Sequence, residues 1–430
     1  MGALLSLYRA LSPAVATAAP LLGAHLPKLA HGLAGRRGVM DRLLAASGQV
    51  RGGLWIHASS VGEFLQGIPI IDAVRAELGD QAPPVAFTHF SVSGMDFAAG
   101  RPRADLHDYL PLDTPRDMER LVAAWRPRAL VFIKFDVWPA LTVAAADAGV
   151  PVFLMAGSLA PGSGRLRWPV RDLYRDVFGR FTHLGVSTEE DRRRFVDDLG
   201  VTAPVTVTGD TRVEQVIVRY EESRGGRVSH RLDALGGRLL VLGSTWPPDE
   251  QLWLPVLPEL LRRHPDLRVV LCPHEPLPER LADLESRLAA DGIATARLSA
   301  LLDDAPAAAG ARVVVVDSVG VLAEIYRAGC LAYVGGSFTT GVHNTMEPAV
   351  AGLPVMFGPR IGNAEEAGVL VRREAGFVCR RPADALERAH ALLADPSLLA
   401  RTGAVAREVV LDQRGATARS LDVLRPHLTG

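Results

Sequence analysis

Short apolar runs that alternate with helical stretches constrain the fold of this chain more than any other feature. From residue 54 onward, glycine, hydroxyl or charged residues follow each run, and the stretches between runs carry apolar residues at helical spacing. This alternation is typical of α/β folds with mostly parallel sheets. The first half contains six such runs, at 54–57, 85–88, 129–133, 152–156, 183–186 and 205–208. The second half contains six more, at 239–242, 269–272, 313–316, 331–334, 354–357 and 377–379.

Two comparable sets of strands predict two Rossmann-like domains. The chain has 430 residues, a length that fits two compact units better than one. The charged, glycine-containing stretch between the two sets reads as a helix and hinge, and the C-terminal tail reads as helices. The predicted parts are an N-terminal segment over 1–50, a first Rossmann-like domain over 51–215, a linker over 216–236, and a second Rossmann-like domain with C-terminal helices over 237–430.

Charge and cysteine content argue against several classes of function. The 47 basic side chains are balanced by 48 acidic ones, so no positive field for nucleic acid is expected. Cys272, Cys330 and Cys379 are far apart and form no C-x-x-C pair, which indicates neither a disulfide framework nor a zinc site. The chain also lacks the G-K-[S/T] of a P-loop and a G-x-G-x-x-G after its first strand. We therefore predict no metal, no cofactor and no nucleic-acid partner.

The N-terminal segment is apolar and precedes a basic cluster. Its apolar face consists of Leu4, Leu5, Leu7, Tyr8 and Leu11. Prolines at 13, 20 and 27 interrupt the segment, and Arg9 breaks it further, so neither a regular transmembrane helix nor a secretory signal is expected. The basic residues that follow are Lys28, Arg36, Arg37, Arg42 and Arg51. This pattern suits attachment to an anionic membrane surface, but an amphipathic helix packed on its own domain would explain it equally well.

Ligands of open α/β sheets bind beyond the carboxyl ends of the strands, so the residues after each run are the candidates for a site. The fourth run of the second half leads into Gly335 and Gly336, and a helix is expected to start near Asn344. Paired glycines let a backbone approach a ligand closely, and a helix start favours a phosphate. With His343 and Glu347 beside them, these residues predict a sugar-nucleotide site. They also fit an ordinary turn in which Asn344 is the N-cap and Glu347 its capping-box partner.

Glu63 follows the first strand in the sequence SSVGE and lies in the first turn of a predicted helix. Ser60 and Glu63 have the spacing of a capping box, which would only tie off the helix. A carboxylate held at a strand end can also serve as a general base. Both interpretations remain open from the sequence.

Lys134 and Asp136 follow the third strand in the sequence KFDVWP. Alternate residues of an extended chain lie on one face, so these two side chains are expected to lie close together. They would then form a salt bridge with each other or contact an anionic acceptor. The spacing does not decide between these two possibilities.

Taken together, these segments resemble the Kdo transferases, which move 3-deoxy-D-manno-octulosonic acid (Kdo) from CMP-Kdo to lipid A precursors at the cytoplasmic face of the inner membrane. The resemblance implies a GT-B fold, in which two Rossmann-like domains face each other across a cleft. The motifs that carry it occur in the same order over roughly 300 residues. They are HGLAGR, HASSVGEFLQGIPII, YLPLDTP, the WP of KFDVWP, VTGDTR, GSTWPPDE, DSVGVLAEIY and VGGSF…GVHNTMEPAVAGLPVMFGP.

The resemblance also implies roles for individual residues. Glu63 matches the catalytic base proposed for the family, on the domain that takes the acceptor. Lys134 and Asp136 stand on the acceptor side, where many members carry two glutamates. The predicted CMP-binding residues are Ser244, Thr245, Pro273, His274, Val319, Gly320, Val321, Gly335, Gly336, Ser337, His343, Asn344, Thr345, Met346 and Glu347. Many members have Pro-Arg-His where this chain has Pro-His-Glu from Pro273, so one arginine expected near the donor phosphate is missing.

We therefore expect a glycosyltransferase that moves Kdo from CMP-Kdo to a lipid A precursor (lipid IVA) in lipopolysaccharide biosynthesis. Its expected location is the cytoplasmic face of the bacterial inner membrane, in contact with the anionic membrane surface. One alternative is another GT-B enzyme, a transferase or epimerase, that uses a UDP-sugar. The other is a catalytically silent protein that binds a sugar nucleotide or a lipid.

Overall fold

The computed structural model describes residues 2–428 except 24–26, 101–102, 161, 304–307 and 309. The chain forms two compact units. The first consists of Met1–Glu214 with Gly415–Gly430, and the second of Gln215–Arg414. Each unit contains its own seven-stranded sheet in which every strand pair is parallel. The predicted α/β class with two Rossmann-like sheets is confirmed.

All twelve predicted strands are present. The first sheet has the order β3-β2-β1-β4-β5-β6-β7. Its strands β1 to β7 are Leu54–Ala58, Val85–His89, Leu106–Tyr109, Ala129–Ile133, Val152–Gly157, His183–Val186 and Val205–Val207. The second sheet has the order β10-β11-β9-β8-β12-β13-β14. Its strands β8 to β14 are Arg238–Thr245, Leu267–Pro273, Thr295–Arg297, Val313–Val315, Leu331–Val334, Val355–Phe357 and Gly376–Val378.

The two strands that the sequence did not predict, β3 and β10, lie at sheet edges. The sequence of β3 is LHDY and that of β10 is TAR, and both contain residues that are only partly buried. An edge strand has one sheet neighbour and tolerates polar side chains, so it lacks the continuous apolar run of a central strand. By contrast, every residue of the central strands β1 and β4 is buried.

The helices connect successive strands and cover the sheets. Helices α1 to α11 are Ala3–Gly23, Pro27–Gly35, Val39–Ala45, Ser47–Val50, Val61–Leu78, Val92–Ala99, Pro115–Trp125, Pro139–Asp147, Val170–Phe178, Glu189–Arg193 and Arg212–Glu222. Helices α12 to α22 are Arg227–Ala234, Pro247–Trp253, Leu257–Arg263, Pro278–Ala290, Leu298–Leu302, Leu322–Ala328, Met346–Val350, Glu365–Arg372, Pro382–Ala394, Pro396–Leu411 and Ala416–Leu424.

The predicted linker over 216–236 is mostly helical and belongs to the second unit. It contains most of α11 and all of α12. The N–H of Val228 donates to Oε2 of Glu324 at 2.9 Å, and Val228 and Leu232 are buried in the same cluster as Ile325. An apolar face packed on the second unit therefore replaces the expected hinge.

The last helix corrects the predicted boundary over 237–430. Helix α22 lies in the first unit, where Leu421 and Leu424 share a core cluster with Phe64 and Ile68 of α5. The helical spacing of its apolar residues predicts a buried face but does not identify the sheet that this face covers. The sequence therefore assigned α22 to the domain that precedes it in the chain.

The first part of the N-terminal segment, Ala3–Gly23, forms one continuous helix through Pro13 and Pro20, although the sequence predicted interruptions there. Each proline removes one backbone N–H, and tertiary contacts offset that loss. Leu5 is fully buried, and the Tyr8 hydroxyl donates to Oδ2 of Asp113 at 2.9 Å. No helix within the described ranges is both long and apolar enough to cross a membrane.

Candidate active site

The first sheet reverses its strand order between β1 and β4, the point where open α/β sheets bind their ligands. Strand β1 leads into Glu63, and β4 leads into Lys134 and Asp136. The three residues predicted for the acceptor side are therefore brought together. The Lys134 charge acts on the pKa of Glu63, and the Glu63 charge acts on the pKa of Asp136.

The Glu63 carboxylate caps the helix that carries it. Its Oε2 accepts the N–H of Ser59 at 2.6 Å and the N–H of Ser60 at 3.2 Å. In return, Oγ of Ser60 accepts the Glu63 N–H at 3.3 Å, which completes the capping box that the sequence predicted. Both backbone N–H groups go to Oε2. These two bonds leave Oε1 to act as a proton acceptor, so they do not compete with a role as base.

Burial raises the pKa of both carboxyl groups at this edge of the sheet, those of Glu63 and Asp136. Glu63 is 5% exposed, and burial raises its pKa, while the Ser59 N–H and the Lys134 charge act in the opposite direction. Burial and the Glu63 charge raise the pKa of Asp136 to about 6. A buried carboxyl whose pKa is raised toward neutral pH suits general-base catalysis.

Lys134 has a left-handed backbone conformation, with φ of 67°. Its N–H still donates to the Met155 carbonyl at 2.8 Å, so the chain turns directly at the end of β4. Because the chain is not extended here, Lys134 and Asp136 do not alternate as the sequence predicted. Among the residues that the structure describes, no ion pair joins them, and the Lys134 Nζ lies 5.4 Å from the centre of the Phe135 ring.

A buried histidine supports the loop that contains Asp136. Trp138 donates its indole N–H to Nε2 of His57 at 2.9 Å, so the ring proton of His57 lies on Nδ1, 3.0 Å from Oγ1 of Thr88. Burial and the neighbouring His89 lower the pKa of His57 to about 3, which keeps the ring neutral and able to accept at neutral pH. His57 and Trp138 entered the sequence analysis only as parts of the motifs HASSVGEFLQGIPII and KFDVWP, and no role was predicted for either.

The motif GDTR supports the helix that carries Glu63. Gln66 lies three residues after Glu63 on α5 and donates its amide N–H to Oδ1 of Asp210 at 3.0 Å. Thr211 donates its hydroxyl to the Gln66 carbonyl at 2.6 Å, and Arg212 pairs with Oδ2 of Asp210 at 2.6 Å. Because these groups are buried or half-buried, they fix the start of α5 relative to the end of β7.

The second sheet reverses its strand order between β8 and β12, which brings Ser244 and Thr245 next to Gly335. A Cβ atom on Gly335 would lie 2.3 Å from the Ser244 carbonyl oxygen, so only glycine fits there. Gly336 has φ of 93°, which also favours glycine. Two of the predicted donor-side loops therefore meet at the switch point.

Asp249 fixes the loop that contains Gly335 and Gly336, called the glycine loop below. Its Oδ2 accepts the N–H of Gly336 at 3.0 Å and that of Trp246 at 2.9 Å, and its Oδ1 accepts the Tyr333 hydroxyl at 2.6 Å. The sequence predicted that the paired glycines would let the backbone approach a ligand closely. The Gly336 N–H itself is already used by Asp249.

Three aromatic rings lie beside this loop. His274 stacks on His343 with ring centres 4.4 Å apart, and Trp246 stacks on His274 at 4.8 Å. The Trp246 indole N–H donates to Nε2 of His343 at 2.9 Å. Burial and the nearby His274 lower the pKa of His343 to about 4, so this ring is uncharged at neutral pH. The predicted residues Pro273, His274 and His343 are thus brought together with a tryptophan that the sequence analysis did not select.

The segment after His343 differs from the predicted helix start. Helix α18 begins only at Met346, with Thr345 as N-cap, and Oδ1 of Asn344 accepts the Met346 N–H at 3.0 Å. Glu347 is not part of a capping box but pairs with Arg219 at 3.2 Å. Since α18 has five residues, its dipole is a weak support for phosphate binding.

Val319, Gly320 and Val321 form the loop after β11, which is separated from β8 by β9. In the described part of the chain, no hydrogen bond or ring contact joins this loop to the glycine loop or the three stacked rings.

Thr245 donates its hydroxyl to Oε1 of Glu250 at 3.1 Å, and the same oxygen pairs with Arg280 at 2.7 Å. No group of His, Cys, Asp and Glu side chains within the described ranges is arranged to hold a metal ion.

Comparisons with known proteins identify the family. A family model for 3-deoxy-D-manno-octulosonic-acid transferase (kdotransferase) matches residues 31–215. The chain is 29% identical to a 3-deoxy-D-manno-octulosonic acid transferase of Bordetella pertussis, over 87% of each chain. It is 30% identical to the transferase of that name from Chlamydophila psittaci, over 71% of this chain and 69% of the relative.

A solved structure supports the fold. The UDP-GlcNAc 2-epimerase from Neisseria meningitidis, bound to UDP-GlcNAc, matches 87% of this chain and 100% of its own at 12% identity, with a TM-score of 0.63. At this identity the match shows a shared GT-B fold and gives no information about the reaction. The family model and the similarity to these relatives show that the chain belongs to the 3-deoxy-D-manno-octulosonic acid transferase family of glycosyltransferases.

Proposed function

We propose that this chain transfers Kdo from CMP-Kdo to a hydroxyl group of a lipid A precursor, as part of lipopolysaccharide biosynthesis. The observation that carries the proposal is Glu63 at the switch point of the first sheet, with Oε2 fixed by two backbone N–H groups, neither of which engages Oε1. The acceptor oxygen forms a bond to the anomeric carbon of Kdo, and the bond from that carbon to the phosphate oxygen breaks. Glu63 takes the proton of the hydroxyl, and CMP leaves.

The donor site of the proposal lies at the switch point of the second sheet. The stacked rings of Trp246, His274 and His343 offer a flat surface for a nucleobase, because bases stack readily on aromatic side chains. His274 is exposed, and its neighbour His343 carries no charge at neutral pH. Asn344 follows His343 in the chain, and its side chain hydrogen-bonds that of Glu347. We assign these two polar groups to the binding of CMP.

The donor site predicts a loss of CMP affinity when its polar groups are removed. We expect Asn344→Ala and Glu347→Ala to weaken CMP binding about fivefold each, since a lost hydrogen bond costs about 1 kcal/mol. Calorimetric titration with CMP measures the effect, and Asp291→Ala, at an exposed position of the same unit, serves as the control. If both variants bind CMP as tightly as the parent protein, the donor site lies elsewhere.

We further propose that the enzyme works at the cytoplasmic face of the inner membrane. The support is the exposed apolar side of α1, where Leu7, Leu11 and Val15 border a groove of about 450 Å³. The basic cluster supports it less than the sequence suggested. Arg36 donates to the carbonyls of Leu110 and Phe90, Arg42 pairs with Asp108 at 2.7 Å, and the Lys28 side chain lies outside the described residues.

The reaction is tested by incubating the pure protein with CMP-Kdo and a lipid A precursor and weighing the lipid product. We expect the lipid to gain the mass of one or more Kdo units, with release of CMP. UDP-sugars offered under the same conditions distinguish the alternative GT-B enzyme. Turnover of a UDP-sugar without transfer of Kdo would contradict the proposal.

A further inference from the structure

Two cations for which the proposed mechanism gives no contact with a substrate lie at the same edge of the first sheet as Glu63. Lys134 follows β4, and Arg165 lies in a short 3-10 turn, Gly164–Leu166, after β5. The guanidinium carbon of Arg165 is 4.9 Å from the centre of the Phe135 ring, and the Lys134 Nζ is 5.4 Å from the same centre. Arg165 also lies 5.1 Å from the Tyr174 ring. The two cations therefore share one aromatic ring.

In the part of the chain that the structure describes, the side chains of Lys134 and Arg165 form no salt bridge and no hydrogen bond. Glu63 and Asp136 nevertheless lie near enough to interact with them electrostatically. The buried Nε of Arg165 has no hydrogen-bond partner there. Contacts with aromatic faces hold the two charged groups but leave their N–H donors unused.

The backbone at Lys134 has a strained, left-handed conformation, which is a feature often found at binding sites. A left-handed conformation at a residue other than glycine is unfavourable and persists where the surroundings enforce it. The strain turns Lys134 out of the extended path that would pair it with Asp136.

We propose that Lys134 and Arg165 bind a phosphate group of the acceptor, beside the hydroxyl that Glu63 activates. The forked donors of an arginine and the compact charge of a lysine both suit phosphate oxygens. The binding site for this group consists of Lys134 and Arg165, whose charged groups lie 5.4 and 4.9 Å from the centre of the Phe135 ring. The inference rests on the proposed function, because it assigns the anion to the acceptor of that reaction.

The test compares a phosphorylated lipid acceptor with the same lipid after its phosphate groups are removed. We expect Lys134→Gln and Arg165→Gln to raise KM for the phosphorylated acceptor about tenfold, and KM for the dephosphorylated acceptor less than about twofold. Arg167→Gln, at an exposed arginine two residues away, is the matched control and should change neither value. Equal increases with both acceptors, no increase with either, or an increase only in KM for the donor would overturn the proposal.

Direct binding separates this site from the reaction. Glucosamine 6-phosphate and glucosamine serve as probes, and calorimetry records their binding without turnover. We expect the parent protein and Arg167→Gln to bind the phosphorylated sugar, and Lys134→Gln to lose at least fivefold in affinity. If Kdo is not transferred but this pattern appears, the proposed function fails and the anion site stands. If Kdo is transferred and none of the proteins distinguishes the two sugars, the site fails and the function stands.

Discussion

At the scale of single residues, Glu63 shows how one carboxylate can have two roles. The Ser59 and Ser60 N–H groups hold Oε2, which fixes the plane of the carboxylate and directs Oε1. Burial raises the pKa of Glu63, and the nearby Lys134 charge opposes that rise. The acidity of the proposed base therefore depends on Lys134.

This arrangement predicts the pH dependence of transfer. A base must be deprotonated, so the rate should rise with pH through the folded-state pKa of Glu63 and then level off. Because the Lys134 charge lowers that pKa, Lys134→Gln should move the rise to higher pH. The pH profile of kcat measures the effect, with Arg167→Gln as the control. A rise at the same or a lower pH would show that Lys134 does not act on the base.

The sequence predicted these residues only in part. The capping box is a local pattern between Ser60 and Glu63, so its spacing was enough to predict it. The conformation of Lys134 depends on how β4 ends against β5, which no local pattern shows. Arg165 is far from Glu63 in sequence, and only the parallel order of β1, β4 and β5 brings the two to one edge of the sheet.

At the scale of elements, the attachment of α1 depends on one buried carboxylate. Asp113 accepts the Tyr8 hydroxyl at 2.9 Å and the N–H groups of Ala140 and Leu141 at 2.7 and 2.9 Å. It therefore joins α1 to the start of α8. The motif YLPLDTP indicated that this aspartate was part of the resemblance, but helical spacing could not show that Tyr8 would reach it.

Removing this carboxylate should destabilise the first unit more than removing an exposed one. We expect Asp113→Ala to lower the free energy of unfolding by about 2–4 kcal/mol, because three donors lose a buried acceptor. Tyr8→Phe should cost about 1 kcal/mol. Glu119→Ala breaks only the Arg9 ion pair at the surface and should cost less than about 1 kcal/mol. Urea unfolding followed by tryptophan fluorescence compares them, and equal losses for Asp113→Ala and Glu119→Ala would contradict this account.

At the scale of the whole molecule, each of the two sheets reverses its strand order once. At that point each sheet brings together two loops that contain predicted site residues. The alternation of apolar runs predicted the central strands because they are buried on both faces. It missed the polar edge strand Leu106–Tyr109, and it placed α22 in the wrong unit because periodicity does not identify the partner of a face. The proposed attachment to a membrane depends on the exposed side of α1.

We expect the protein to sediment with vesicles that contain anionic lipid, and to bind less as salt screens the surface charges. Val15 is 63% exposed on α1, so Val15→Glu should reduce the bound fraction severalfold because a charge replaces apolar contact with lipid. Leu277→Glu, at an exposed apolar position in the second unit, is the control. Equal recovery in the supernatant with anionic and neutral vesicles at low salt would contradict membrane attachment.

The most direct measurement is turnover by folded Glu63→Gln protein at saturating CMP-Kdo and lipid A precursor. Glutamine can still accept the Ser59 and Ser60 N–H groups, so stability should change by about 1 kcal/mol or less. CMP affinity should stay the same, because the donor-site residues belong to the other unit. If Glu63 is the base, the transfer rate should fall by roughly 10² to 10⁴. A rate within a few fold of the parent would show that Glu63 is a helix cap only.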